Sequence, residues 1–185
     1  MTVREQVEFS MSRENHPTQD PDEVTGLCEI LIKEDINVVL EIGMFGGGTM
    51  NLWSKFAKDE ALLVGVDIED RVKGRKTNKP TQKFISIIGD STSQDTIDKV
   101  SQALNGNYVD YLFIDGNHVY DFVKADYMNY SKFVKTGGVI AFHDTYGNDH
   151  VKKAIREIAL LEEKIAEFAT SGKAYKMGIT AFRRK

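Results

Sequence analysis

The sequence predicts an α/β fold: a single doubly wound, Rossmann-like domain whose mostly parallel sheet has about seven strands and ends in an antiparallel C-terminal pair. Two observations carry that expectation. Five short apolar runs, residues 37–43, 61–68, 83–90, 109–115 and 137–144, alternate with segments of helical period, and parallel strands require crossover connections of that kind. Each run also ends in a polar or glycine-rich feature, EIGMFGGG, GVDIED, IIGDS, FIDGNH and AFHDT. Those ends converge on one rim of the sheet, where ligands of such folds bind.

Length and composition set further bounds. At 185 residues the chain is the size of one domain. Residues 1–20 form an N-terminal segment expected to cap the substrate side, and residues 21–185 form the domain itself. A hydrophobic fraction of 41%, a charged fraction of 28% and a formal charge of -4 describe an ordinary globular protein with no basic surface for nucleic acid. The N-terminus lacks the apolar core of a signal peptide, and no run approaches the roughly 18 apolar residues of a membrane span, so a cytoplasmic protein is expected. Cys28, the sole cysteine, stands among Leu27, Ile30 and Leu31 and reads as a small buried hydrophobe. No internal repeat appears, and a homo-oligomer is left open.

In QDPDEVTGLCEILIKE, Asp20 caps a helix, Pro21 suits its first position and Glu23 follows three residues after the cap, with Val24, Leu27, Cys28 and Leu31 on one face. NVVLEIG (37–43) is a β-branched run stopped by glycine. The following GGGTMNLWSKFAK repeats Met50, Trp53, Phe56 and Ala57 at helical spacing, which assigns Trp53 to the core. ALLVGVDI (61–68) and KFISIIGD (83–90) are separated by RVKGRKTNKP, whose five Lys or Arg residues read as a solvated loop or as a flap for an anionic ligand. A helix with Ile97, Val100 and Leu104 inward leads to VDYLFID (109–115). About four helical turns carrying Val119, Val123, Tyr127, Tyr130 and Val134 then lead to GGVIAFHD (137–144). A helix capped near Asn148 turns Val151, Ile155, Ile158 and Leu161 inward. KIAEFAT and YKMGITAFRR form the closing pair around the turn residues SGK.

Three glycine motifs compete for EIGMFGGGT. A P-loop needs lysine after Gly48, where Thr49 and Met50 stand, so a kinase or ATPase is disfavoured. A dinucleotide fingerprint starting at Gly43 needs glycine at position 45, and Phe45 would obstruct a pyrophosphate, so NAD is disfavoured too. The stretch does fit Glu-x-Gly-x-x-x-Gly, as Glu41, Gly43 and Gly47, with a second acid, Asp67, ending the next strand. That spacing allows a tight turn against a ligand without phosphates, and Asp67 can accept hydrogen bonds from a ribose diol.

With this ordered set the chain resembles the class I S-adenosylmethionine-dependent methyltransferases from about residue 20 to its end. Within them it looks most like the metal-dependent small-molecule O-methyltransferases of the macrocin-type, cephalosporin-hydroxylase-like and catechol O-methyltransferase group. The resemblance implies that Glu41 and Gly43 face the methionine part of the cofactor, Asp67 the ribose, and Asp90 and Ser91 the adenine. Met44, Phe45, Gly47, Ile68 and Asp115 complete the implied cofactor-binding set. It further implies a divalent metal held by Asp115, His143 and Asp144, with His118 as the base. An imidazole with a pKa of about 6.5 suits a proton acceptor near neutral pH. The family pattern has a carboxylate where His143 stands. A nitrogen ligand leaves room for iron or zinc beside the magnesium or manganese of an oxygen-rich site, or else His143 orients Asp144 from behind.

Each residue has a purely structural alternative. Asp115 with Gly116 and Asn117 makes a good turn, His118 can cap the next helix, His143 can be a buried core histidine, and Asp90 or Ser91 can be a helix N-cap. Together on adjacent strands they read as a site. Tyr120, Tyr146, His150, His16 and Gln19 are candidates for lining an acceptor pocket or, equally, for surface loop. The expected function is methylation of a hydroxyl on a small sugar, polyhydroxylated or phenolic molecule. The alternatives are a metal-independent methyltransferase, an NAD-binding oxidoreductase and a non-catalytic S-adenosylmethionine-binding module.

Overall fold

The computed structural model describes residues 1–12, 17–72, 77–170 and 177–185. β1 (Val38–Ile42), β2 (Leu62–Asp67), β3 (Lys83–Ile88), β4 (Val109–Ile114) and β5 (Val134–His143) run parallel to their neighbours. β7 (Ile179–Arg183) pairs antiparallel with β5 and with β6 (Glu163–Phe168). Together they form a 7-stranded sheet in the order β3-β2-β1-β4-β5-β7-β6. Strand order reverses between β1 and β4. The expected closing pair is present, while the SGK turn lies outside the described residues.

Period-two alternation sends each strand's side chains to two cores. On one face Leu40, Ile42, Leu112, Ile114, Ile140 and Phe142 meet α4 (Gln94–Leu104), α5 (Tyr120–Tyr130) and α6 (Asp149–Ile158) through Val100, Tyr127 and Ile158. On the other, Val39, Tyr111, Phe113 and Ala141 meet α1 (Val3–Met11), α2 (Pro21–Leu31) and α3 (Gly48–Phe56) through Val7, Leu27 and Trp53. Trp53 packs edge-on against Tyr111 and Phe113, with ring centroids 5.3 and 5.1 Å away. Cys28 is fully buried. Among the described residues no helix is long and apolar enough to cross a membrane.

The elements depart from the sequence reading in three places. α1 was not foreseen, although Thr2 and Glu5 form a capping box and Val7 is buried beneath it. Val134 does not close a helix: α5 ends at Tyr130, a short 3-10 turn spans Ser131–Phe133, and Val134 opens β5 beside Val109 ahead of a register shift. Leu161 does not turn inward but is 55% exposed, because α6 stops at Ile158 and the helical period does not extend to residue 161. Glu162 is buried instead, accepting hydrogen bonds from the Tyr127 hydroxyl and Arg184.

Candidate active site

Strand register builds the site. One step beyond the parallel partners Ile42, Ile114 and Phe142 stand Gly43, Asp115 and His143, side by side at the strand ends. The Asp115 N–H donates to the Ile42 carbonyl at 2.8 Å, which draws the end of β4 against the glycine turn. A Cβ on Gly43 would stand 2.2 Å from the Asp115 carbonyl oxygen, and Gly43 has φ +89, so the close approach requires glycine. Phe45 and Asp144 also have left-handed backbone, φ 46 and 56. For phenylalanine this is unusual. It is held there by donation of its N–H to Asp67 Oδ2 at 2.6 Å and by a tight turn in which the Gly47 N–H donates to the Met44 carbonyl at 2.7 Å.

Two cavities meet at Gly43, Phe45 and Asp115, which line both. The first, about 430 Å³, opens over the ends of β1, β2 and β3 and is lined by Asp67, Ile68, Asp90, Ser91, Asn117 and Phe122, among others. Its polar groups are presented rather than used up by capping: the N-cap of α4 is Ser93, and Asp90 Oδ1 accepts from the Thr92 N–H and hydroxyl in a turn. The second, about 490 Å³, is bounded by Pro17, Thr18 and Gln19, by Gly48 and Thr49, and by Asp115, His118, His143, Asp144, Asn148 and Met177. Residues of the N-terminal segment thus wall it, and Gln19 donates to Asp115 Oδ2 at 2.5 Å.

Within the second cavity two carboxylates and two imidazoles form a closed ring. Asp115 Oδ1 is 3.3 Å from His118 Nε2 and 3.2 Å from His143 Nδ1, and Asp144 Oδ2 is 3.2 and 3.1 Å from the same two nitrogens. Ion-paired hydrogen bonds settle near about 2.7–2.9 Å. The pairs stand at the long end of hydrogen-bond distance, and bonds of about 2.1 Å from a small divalent cation at right angles would likewise put donors about 3.0 Å apart. Donor atoms of Asp115, His118 and Asp144 all lie within 4.8 Å of one another. The donor set therefore fits a cation of the manganese, iron or zinc type, which accept both imidazole and carboxylate.

Electrostatics bind this ring tightly. Burial works against a charge on His143, but Asp115 and Asp144 outweigh it and push its pKa up to about 10. Burial likewise works to raise Asp115, and the two imidazoles outweigh it and hold the carboxyl below its ordinary value. The hydrogen bond to Asp115 raises His118. The two histidines differ in access: the His143 side chain is 4% exposed and the His118 side chain 40%. His143 backs the carboxylates from the core, 6.5 Å from the Phe113 ring centroid, while His118 faces the opening.

The sequence-derived candidates among the described residues have unequal access to the cavities. Gln19, Gly43, Met44, Phe45, Asp67, Ile68, Asp90, Ser91, Asp115, His118, His143 and Asp144 line one cavity or both. The Met44 side chain packs down on Gly65 and is 2% exposed. Gly47, φ 73, turns the chain into α3. Glu41 lines neither cavity: it is fully buried and accepts a hydrogen bond from the hydroxyl of Thr49, which does line the second. Burial pushes its pKa up to about 8. Tyr120, Tyr146 and His150 line neither cavity, the Tyr120 hydroxyl donating to Glu157. His16 and the middle of the basic loop, residues 73–76, lie outside the described residues. Phe122, Thr49, Asn148 and Met177 were missed. Of these, Phe122 could have been found as the off-face apolar residue in the first turn after FIDGNH.

A family model described as a methyltransferase domain matches residues 40–145. The chain belongs to this family of methyltransferase domains. An uncharacterized protein, R132, of Acanthamoeba polyphaga mimivirus is 35% identical over 126 residues, 64% of this chain and 55% of that protein, so the chain spans about half the length of that relative. Three solved structures share the fold. The N-methyltransferase NodS of Bradyrhizobium japonicum WM9, in complex with S-adenosyl-L-homocysteine, superposes with a TM-score of 0.69 at 14% identity, covering 100% of this chain and 99% of that one. The O-methyltransferase TomG of Streptomyces achromogenes, with S-adenosylmethionine, gives 0.70 at 14% over 100% and 91%. MycE of the mycinamycin biosynthetic pathway, with Mg and S-adenosylhomocysteine, gives 0.65 at 15% over 100% and 55%.

Proposed function

We propose that this domain transfers a methyl group from S-adenosylmethionine to a hydroxyl of a small sugar, polyhydroxylated or phenolic molecule, with a divalent cation held by Asp115, Asp144 and one imidazole. The observation that carries the reading is the carboxylate–imidazole ring standing where the two cavities meet. When bound, the cofactor supplies an electrophilic methyl group, and the cation supplies charge that favours an ionised hydroxyl. The chain does the rest. Asp67 offers carboxylate oxygen to a ribose, Ile68 and Phe122 offer apolar surface to a base, and Gly43 lets the backbone pass close to the reacting end. His118, on the open side of the ring, takes the hydroxyl proton. Asp115 and Asp144 hold the acceptor side in line.

The solved neighbours include both N- and O-methyltransferases, so the fold leaves the acceptor atom open. The hydroxyl is favoured by chemistry: a neutral amine needs no ionisation to attack a sulfonium, whereas a hydroxyl does. The gathering of Asp115, His118 and Asp144 favours a second arrangement in which His118 is the third ligand. Tritium-labelled S-adenosylmethionine incubated with panels of hydroxyl and amine acceptors tests the reading. Transfer to hydroxyls, lost on chelation and restored by manganese or magnesium, is expected. Transfer to amines alone, or transfer indifferent to chelation, contradicts it. Manganese binding retained by His118→Asn supports the base role, and its loss supports the ligand role.

A further inference from the structure

We propose that Glu23 is a positioning residue for the carboxylate–imidazole ring: from the first turn of α2 it fixes the start of β7 against the turn that follows Asp144, and so holds that carboxylate in place. Glu23 stands three residues after the N-cap Asp20, where a glutamate ordinarily folds back on its own helix. Here its carboxylate reaches a distant part of the chain. Its side chain is buried and accepts the Thr170 N–H on Oε1 and the Gly178 N–H on Oε2, both at 2.9 Å. Thr170 follows β6 and Gly178 precedes β7, so one carboxylate ties α2 to both members of the antiparallel pair. Asp20 adds a bond of its own, accepting from the Thr170 hydroxyl at 2.8 Å.

The start of β7 in turn holds the residues after Asp144. The Thr145 N–H donates to the Gly178 carbonyl at 3.2 Å, and the Tyr146 and Gly147 N–H groups donate to the Met177 carbonyl at 2.8 and 3.1 Å. The Thr180 hydroxyl donates to the Thr145 hydroxyl at 2.9 Å. The two segments also touch closely: Gly178 has φ +84, and a Cβ there would stand 2.6 Å from Tyr146 Cβ and 2.9 Å from the Tyr146 nitrogen. Asp144 itself has left-handed backbone, φ 56, which is uncommon for a residue with a side chain. Such a conformation persists only where its surroundings over-determine it. The bonds from β7 supply that constraint, and they run back through Gly178 to Glu23. Gln19, four residues before Glu23, donates to Asp115. The N-terminal end of α2 thus reaches both carboxylates of the ring, Asp115 directly and Asp144 through β7.

Glutamine at position 23 keeps the shape but has one oxygen where the carboxylate has two, and it turns an amino group toward the other backbone N–H. In Glu23→Gln, amide exchange at Thr145, Tyr146 and Gly147, followed by nuclear magnetic resonance, is expected to quicken by about tenfold or more, the scale of one hydrogen bond to a charged group. Manganese affinity, read by electron paramagnetic resonance titration, falls by about threefold or more, while S-adenosylhomocysteine affinity is unchanged. The manganese arm rests on the cation reading proposed above, and the exchange arm does not. Asp110→Asn controls for general destabilisation, because Asp110 is another buried carboxylate accepting two backbone N–H groups, those of Asn37 and Val38, at the opposite end of the sheet. Gly178→Ala disturbs the same link from the other side and decides the matter if Glu23→Gln does not fold. Exchange unchanged at residues 145–147, or quickened equally in Asp110→Asn, overturns the proposal, as does faster exchange with manganese affinity intact. A wild type that binds no manganese overturns the cation reading alone, and the exchange result then decides whether Glu23 holds the turn.

Discussion

Replacing Gly43 by alanine tests how tightly the site is built, and Gly137→Ala serves as its control. Both glycines have left-handed backbone, φ +89 and +82, but a Cβ on Gly43 would stand 2.2 Å from the Asp115 carbonyl oxygen and 2.7 Å from Gly116 Cα, whereas a Cβ on Gly137 meets nothing within 4 Å. The conformational cost common to both is roughly 1–2 kcal/mol. It is partly offset by about 0.4–1 kcal/mol from the stiffer unfolded chain. The overlap is with backbone on a neighbouring strand, which no side-chain rotation relieves, and such overpacking adds about 1–3 kcal/mol. Gly43→Ala should therefore lose about 2–4 kcal/mol and Gly137→Ala about 1. For a domain of this size that is a fall in melting temperature of roughly 5–15 °C against a few degrees. Urea unfolding and thermal melts measure both. Because relief of the clash moves Asp115 and Gly116, Gly43→Ala should also weaken S-adenosylhomocysteine binding while Gly137→Ala does not. Equal stability loss in the two variants would refute the argument that β1 and β4 are locked together at the site.

Glu41 has its pKa pushed from an ordinary 4.5 up to about 8 by burial. Over that window the unfolded state binds fewer protons than the folded one, so wild-type stability falls as pH rises from about 4.5 to 8, and Glu41→Gln should remove that part of the slope in urea titrations across pH. His118→Asn should leave S-adenosylhomocysteine affinity unchanged and slow methyl transfer by about 10²–10⁴-fold, as read by single-turnover kinetics. Asp144→Asn should weaken manganese binding by about tenfold or more in electron paramagnetic resonance titrations, with little change in melting temperature. Thr2→Ala removes the capping box of α1 and should cost about 1 kcal/mol, seen as earlier hydrogen exchange in residues 3–11.

Much of the site was legible because strand ends are fixed by pattern. Each apolar run reveals its own boundary, and a parallel sheet brings consecutive C-terminal ends to one rim, so Asp67, Asp90, Asp115 and Asp144 could be placed together without knowing any contact. The contacts themselves were not legible. That Asp115 stands beside His143 follows from the register of Ile114 with Phe142, and that register is set across the sheet rather than along the chain. The sharing of Asp115 between Gln19 and the two histidines spans 96 residues on one side and depends on how the N-terminal segment docks. Glu41 read as a ligand contact because it precedes the glycine turn. Its side chain lies on the α3 face and meets the cavity only through Thr49, eight residues on. Asp126 gave no signal, since an acid on a helix is ordinarily solvent-facing and only its burial beside Gly116 sets it apart. The end of α5 was missed for a related reason: Val134 continues the helical period of Tyr127 and Tyr130, and strand pairing with Val109 overrides it.

The proposed division of labour gives one cavity to the cofactor and the carboxylate–imidazole ring beside it to cation and acceptor. Calorimetric titration of S-adenosylhomocysteine, with and without manganese, into wild type, Asp67→Ala and Asp144→Asn tests it most directly. One molecule is expected to bind per chain in wild type, with affinity reduced about tenfold or more in Asp67→Ala by loss of a charged hydrogen-bond acceptor, and affinity retained in Asp144→Asn while its manganese heat falls. No binding to wild type, or equal loss in both variants, would contradict it.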